Sequence, residues 1–128
     1  MKGPQKWSHA QRGRLFEEIP CGIVVIDRAL NVVDHNHAFA QVFGEARGRQ
    51  CFAAIRGRTA PCQDCPAEKT FADAKPRVRE QTGQDVDGRP SHHLMQITPI
   101  VEPSGEVEFV VATAADLSAT KRLQREYQ

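Results

Sequence analysis

Cys62 and Cys65 form a Cys-x-x-Cys unit within Pro61-Cys-Gln-Asp-Cys-Pro66, a spacing that lets two sulfurs on one short turn reach one metal ion or each other. Cys51 lies upstream of them, ahead of a turn at Gly57, so three of the four cysteines fall between Gly48 and Pro66. Two chemistries follow. A metal reading takes Cys51, Cys62, Cys65 and one further residue as zinc ligands, with an iron–sulfur cluster as the alternative. A redox reading pairs Cys51 with Cys62 or Cys65 in a reversible disulfide, helped by Arg49, Arg56 or Arg58 if one of them lowers a thiol pKa. Against both stands a plain packing role, since a free cysteine behaves as a small apolar side chain. A thiol oxidoreductase using Cys62 and Cys65 would need a strand-to-helix context that is missing here, and Pro66 stands where a c-type haem motif needs histidine, which excludes that cofactor.

The second group of candidates comes from strand parity. His93 shares one face of an alternating run with Met95 and Ile97, which makes it the best polar candidate for an interior pocket, although a buried histidine is more often simply satisfied. Phe39, Phe43, His93, Met95 and Ile97 are the expected pocket lining. His35 and His37 flank a helix start and read as solvated. Asn36 reads as a helix cap first and as a structural hydrogen-bonder second, while Asp27, Asp34 and Asp116 fall at element ends where caps and turns account for them.

These residues must be held by ordered elements. Residues 1–14 read as a mobile or loosely helical lead, and Leu15, Phe16 and Ile19 give a short helix that Pro20 ends. Gly22 to Asp27 is β-branched and apolar on both parities, as in a central strand covered on both faces. A turn at Arg28 to Asn31 leads to a partner strand at Val32. Phe39, Val42 and Phe43 then recur at helical spacing up to Gly44, short helical turns are expected from Phe52 to Ile55, and a helix from Cys65 or Pro66 runs to Ala74. Three strands complete the pattern: Arg77 to Val86, a hairpin at Asp87-Gly88, Ser91 to Val101, and Val107 to Ala115 with Val110, Ala112 and Ala114 on one face. After Asp116 the chain turns helical. The result is an α+β domain built on an antiparallel sheet with its helices on one face, which leaves room for a cavity between the layers.

At 128 residues the chain is one domain, long enough to bury about two thirds of its unfolded surface. A net charge of +1 with interspersed signs gives no basic stripe for nucleic acid and no polybasic membrane anchor. The first residues are polar and no apolar run approaches a bilayer span, so a cytoplasmic location is expected, where thiols stay mostly reduced.

The string Ile19-Pro-x-Gly22-Ile-Val-Val-Ile-Asp27, then Asn36-x-Ala-Phe39-x-x-x-Phe43-Gly44, and a last strand ending Asp116-Leu-Ser-x-x-Lys together resemble a PAS sensory domain over residues 15–121. Cys51, Cys62 and Cys65, with Gly57-Arg58, are similar to a cysteine-bearing subgroup found in bacterial sensor kinases and related signalling proteins; Cys21 falls outside that pattern. The resemblance implies a PAS-like five-stranded antiparallel sheet in order 2-1-5-4-3 whose short helices roof a small-molecule pocket, with a sensory domain over 15–117 and a signalling helix over 118–128. It also implies a homodimer paired through the N-terminal helix and the outer sheet face. An output domain, such as a histidine kinase of a two-component system or a diguanylate cyclase, would stand in a longer protein. Gly48-Arg-Gln-Cys51 is similar to the flavin-binding light-sensing branch, but Gln50, Phe52 and Ile55 replace that branch's flanking residues, so flavin is not expected.

The expected function is signal sensing without catalysis. A ligand, or the redox or metal state of the cysteine loop, would shift the last strand and the helix after it. The alternatives are a dimerisation scaffold that senses nothing, and a thiol redox protein.

Overall fold

In a computed structural model that describes residues 7–117 and 126, the chain forms α1 (His9–Glu18), a hairpin of β1 (Gly22–Asp27) and β2 (Val32–His35), then α2 (His37–Phe43), α3 (Cys51–Arg56) and α4 (Pro66–Asp73). Three longer strands follow: β3 (Arg77–Gln84), β4 (Pro90–Val101) and β5 (Val107–Asp116). The expected signalling helix over 118–128 lies, apart from helical Glu126, outside the described residues, as do the first six residues of the expected lead. Helix α1 starts earlier than the apolar spacing implied. The Ser8 hydroxyl accepts from the Gln11 amide while the Gln11 side chain accepts from the Ser8 N–H, a reciprocal box that fixes the start.

All four strand pairings are antiparallel, in the order β2-β1-β5-β4-β3 that the resemblance implied. Alternation sorts the two faces. Val24, Ile26, Met95, Ile97, Val110, Ala112 and Ala114 are buried on the inner face, while Ile23, Val25, Phe109 and Val111 are half-buried on the other. Helix α2 covers β1, α4 covers β4 and β5, and α3 lies against β3.

The turns explain how the layers close. Asp27 Oδ1 accepts from the amides of Ala29 and Asn31, which bends the first hairpin tightly enough to put Leu30 at φ 67°. That left-handed backbone costs a leucine about 1–2 kcal/mol, offset by burial of its side chain in the core at about 2 kcal/mol. Gly57, also left-handed at φ 63°, ends α3 by donating to Ala53 while Arg58 donates to Phe52. Strand β3 stops at Gln84, short of the expected Val86. Asp85 accepts from the amides of Asp87 and Arg89, and the Val86 N–H donates to the Val42 carbonyl of α2, which draws this loop onto the helix.

Gly83 is where α3 meets β3. A methyl group there would stand 2.5 Å from the Ile55 carbonyl oxygen, a backbone atom that cannot swing away. Gly83→Ala is therefore expected to destabilise the domain by about 1–3 kcal/mol, read as a lowered urea midpoint; an unchanged midpoint would show that α3 is free to lift off the sheet.

Candidate functional site

The cysteine loop closes over the inner face of the sheet. Cys51 opens α3, Cys65 precedes Pro66 at the start of α4, and Cys62 lies in the link between them; all three line one apolar cavity of about 50 Å³. Its floor is Ile26, Met95, Ile97 and Ala112, so it rests on the two central strands and β4. Arg56 and Gln81 stand at its polar edge. Pro66 at the first turn of α4 costs no hydrogen bond, which lets the chain turn from the Cys-x-x-Cys unit directly into the helix.

The thiols are free. Burial, followed by the neighbouring Cys65 and Cys62, pushes the Cys51 thiol up to about 12, so it stays protonated at neutral pH and behaves as a soft apolar wall. We therefore expect Cys51 to be alkylated by iodoacetamide at least about 10-fold more slowly than an exposed thiol at about pH 8; mass mapping of a time course checks this, and labelling of Cys51 at an exposed-thiol rate would refute it. Among the described residues no group of three or more His, Cys, Asp or Glu side chains is placed to hold a metal ion. Cys21 is elsewhere, its sulfur against the Ala114 carbonyl at 3.6 Å.

The expected pocket divides into two. Met95 and Ile97 face the cysteine cavity, whereas Phe39, Phe43 and His93 line a separate cleft of about 160 Å³ between α2 and the end of β5. That cleft is built on a row of rings: His35 to Phe39 at 5.2 Å, Phe39 to Phe43 at 4.9 Å, and Phe43 to His93 at 5.2 Å. His35 departs from the solvated role expected of it. It is 3% exposed, with Nε2 3.2 Å from the Ala46 amide nitrogen and 3.3 Å from Glu45 Oε1, and Nδ1 3.2 Å from the Asn36 carbonyl oxygen. His37 is exposed and pairs with Glu17, as expected of a surface histidine. Asn36 does more than cap: it bonds both the start of α2 and the entry to β1.

Burial holds the His93 pKa below its ordinary value, opposed by the charge of Asp116 and assisted by His92. A neutral native His93 binds fewer protons than the unfolded chain once the pH falls through about 6.5, so stability should fall on acidification until the native pKa is passed. A urea midpoint lower at about pH 5.5 than at about pH 7.5, with the difference reduced in His93→Phe, is the expected result; an equal pH dependence in both proteins would contradict it.

Sequence reasoning missed Gln81, and named Arg56 only as a group that could lower a thiol pKa. Gln81 is polar, and β3 alternates Arg77, Arg79, Gln81 and Gly83 on its inward parity, with no hydrophobic period to mark the face. The pairing of Gln81 with His93 across the β3–β4 ladder was the one signal that could have placed it.

A family model described as PAS fold matches residues 16–122. Among solved structures, the chain is similar to the PAS domain of a protein from Colwellia psychrerythraea, with a TM-score of 0.72 at 18% identity over 86% of this chain and 97% of that one. It is also similar to VqmA of Vibrio cholerae, discussed with the LuxR-type receptors, with a TM-score of 0.69 at 18% identity over 88% of this chain and 53% of that one. An RNA-binding light-oxygen-voltage receptor is matched with a TM-score of 0.73 at 18% identity, over 98% of this chain and 39% of that one. The chain thus spans about half or less of the length of those two receptors. Among curated proteins, none matches the sequence.

Proposed function

The chain belongs to the PAS fold family, and from that premise we propose that it is a sensory module whose input is the cysteine cavity and whose output leaves through the end of β5. The observation that carries this reading is convergence: three thiols separated in sequence line one space, and Ala112 of β5 forms part of its floor. A methyl side chain at that position leaves the gap. Filling it, or adding atoms to a sulfur, presses on the strand that ends at Asp116. The response is bounded by the difference in affinity of the signal for the two strand positions.

A cavity of about 50 Å³ has space for a few heavy atoms, well below the roughly 150 Å³ that takes one benzene ring. The signal fitting this site is a very small apolar molecule or a covalent change at a thiol. Catalysis forms no part of this reading, and a longer protein would carry the output. No helix among the described residues is long and apolar enough to cross a membrane. A second copy is the proposed partner, supported by exposed Leu15 on α1 and by Val33, Ile100 and Val101 along the sheet. The scaffold alternative is less favoured because space stays open beside Met95 and Ile97.

Capping Cys62 with a methylthio group, using a thiosulfonate reagent on a Cys21→Ser background, tests the reading. The amide resonances from Ala112 to Asp116 should move, and a Cys62→Ser protein treated identically should not respond. A capped protein whose β5 resonances stay in place would remove the proposed path.

A further inference from the structure

Among the described residues three arginines are half-buried: Arg56, Arg77 and Arg79. Arg77 is held in place, its guanidinium forked onto the Asp73 carboxylate at 2.6 and 2.8 Å with the Thr70 hydroxyl beside it. Arg56 at the end of α3 and Arg79 on the edge strand β3 have no hydrogen bond or ion pair with a described residue. Both line one open cleft of about 370 Å³. A guanidinium partly withdrawn from water without a partner costs free energy, and a second like charge in the same cleft adds to that cost. An anion relieves both.

The cleft continues past the arginines. Arg56 and Gln81 also wall the cysteine cavity, so the polar cleft adjoins the apolar space of about 50 Å³. Cys51, Cys62 and Pro66 on that cavity's wall are half-buried, so its lining reaches the surface. The charges select the head of a ligand. The one carboxylate lining the cleft, Glu80, is already engaged, its Oε1 2.6 Å from His92 Nε2. Two arginines against one glutamate leave a single positive charge, which matches a monoanion. A planar carboxylate takes two parallel N–H bonds from a guanidinium fork, and Gln81 brings an amide donor to the boundary between the two spaces.

We infer that this junction binds a short-chain monocarboxylate, its carboxylate held by Arg56 and Arg79 and its few methylenes in the cysteine cavity. The inference rests on the reading of that cavity as the input, and it names the ligand. The tail is the very small apolar body that the cavity admits, and the head supplies the affinity that so few carbon atoms lack. A cation of the same shape would meet two arginines at the mouth.

The test uses the full chain, labelled with nitrogen-15, and three probes of one chain length at matched ionic strength: butyrate, butan-1-ol and butylamine. Butyrate should shift the Gln81 and Met95 resonances saturably with a Kd of about a millimolar, and the alcohol and the amine should each bind at least about 10-fold more weakly. Arg79→Gln should weaken butyrate binding at least about fivefold and leave butan-1-ol unchanged, and Arg56→Gln gives the same comparison should the first variant fail to fold. Butan-1-ol or butylamine binding as tightly as butyrate, or undiminished butyrate binding in a folded variant, would overturn the assignment. So would shifts at Gln81 that leave Met95 unmoved, since the tail would then lie outside the cavity, and so would non-saturating shifts from all three probes. Transmission is read separately, at Asp116: butyrate that binds as expected while Asp116 stays unmoved upholds the ligand and removes the sensory reading.

Discussion

Phe39→Ala is expected to lower the free energy of unfolding by about 3–5 kcal/mol, the largest loss predicted for this domain. The side chain is 0% exposed and its ring is the middle member of the row, touching His35 on one side and Phe43 on the other. Alanine would remove the transfer energy of the ring and leave a void, because the helix has no room to settle. At Gly22 on β1 a methyl group would already come within 3.3 Å of Phe39 Cα, so α2 and the strand are in close contact before any change. Set against a typical domain stability of about 5–15 kcal/mol, the variant should be marginally folded. Urea denaturation reads the effect as a lowered midpoint at constant slope. Phe39→Leu, which keeps most of the volume, should lose about 1–2 kcal/mol. A loss below about 1.5 kcal/mol for the alanine variant would mean that the row collapses around the gap.

The same row marks how far the sequence could be read. Alternation grouped Met95 with Ile97 on one face of β4 and Val110, Ala112 and Ala114 on one face of β5, and each group is buried together, because strand periodicity allows only two faces. Convergence of Cys51, Cys62 and Cys65 was likewise legible, since a glycine turn and a proline helix start leave a short loop few paths. Division of the expected pocket was not. Parity says that His93, Met95 and Ile97 share a face, but which helix covers each of them depends on crossings between α2, α4 and the sheet that no local pattern encodes. His35 misled for a similar reason. Its neighbours are polar and lie at a helix start, while the amide that buries it belongs to Ala46, eleven positions along the chain. At α1 the signal was present and outweighed: Ser8-x-x-Gln11 is a capping box, but the apolar residues begin only at Leu15.

Asn36→Ala is expected to cost about 3 kcal/mol, although it removes few atoms. The side chain is 0% exposed and makes four bonds. Its Oδ1 accepts from Ile23 N at 2.9 Å and Phe39 N at 3.1 Å; its Nδ2 donates to the Cys21 carbonyl at 2.9 Å and the Ile19 carbonyl at 3.3 Å. One amide thereby ties together the end of α1, the entry to β1 and the first turn of α2. Alanine would strand two backbone donors and two backbone acceptors where water has poor access, each costing about 1–3 kcal/mol less whatever relaxation returns. Asn36→Asp separates this bonding from simple packing. It keeps the volume and both acceptor roles but directs a carboxylate at two carbonyl oxygens, so its native pKa should rise above the unfolded value of about 3.9. With a raised native pKa, the aspartate variant should come closest to the parent stability below about pH 4 and fall progressively behind as the pH rises through the native value. Urea midpoints of the parent and both variants between about pH 3.5 and 7.5 decide the matter. If aspartate tracks the parent across that range, the Nδ2 bonds contribute little; if alanine loses under about 1 kcal/mol, water has replaced the side chain and the junction of the three elements must be held by the apolar row alone.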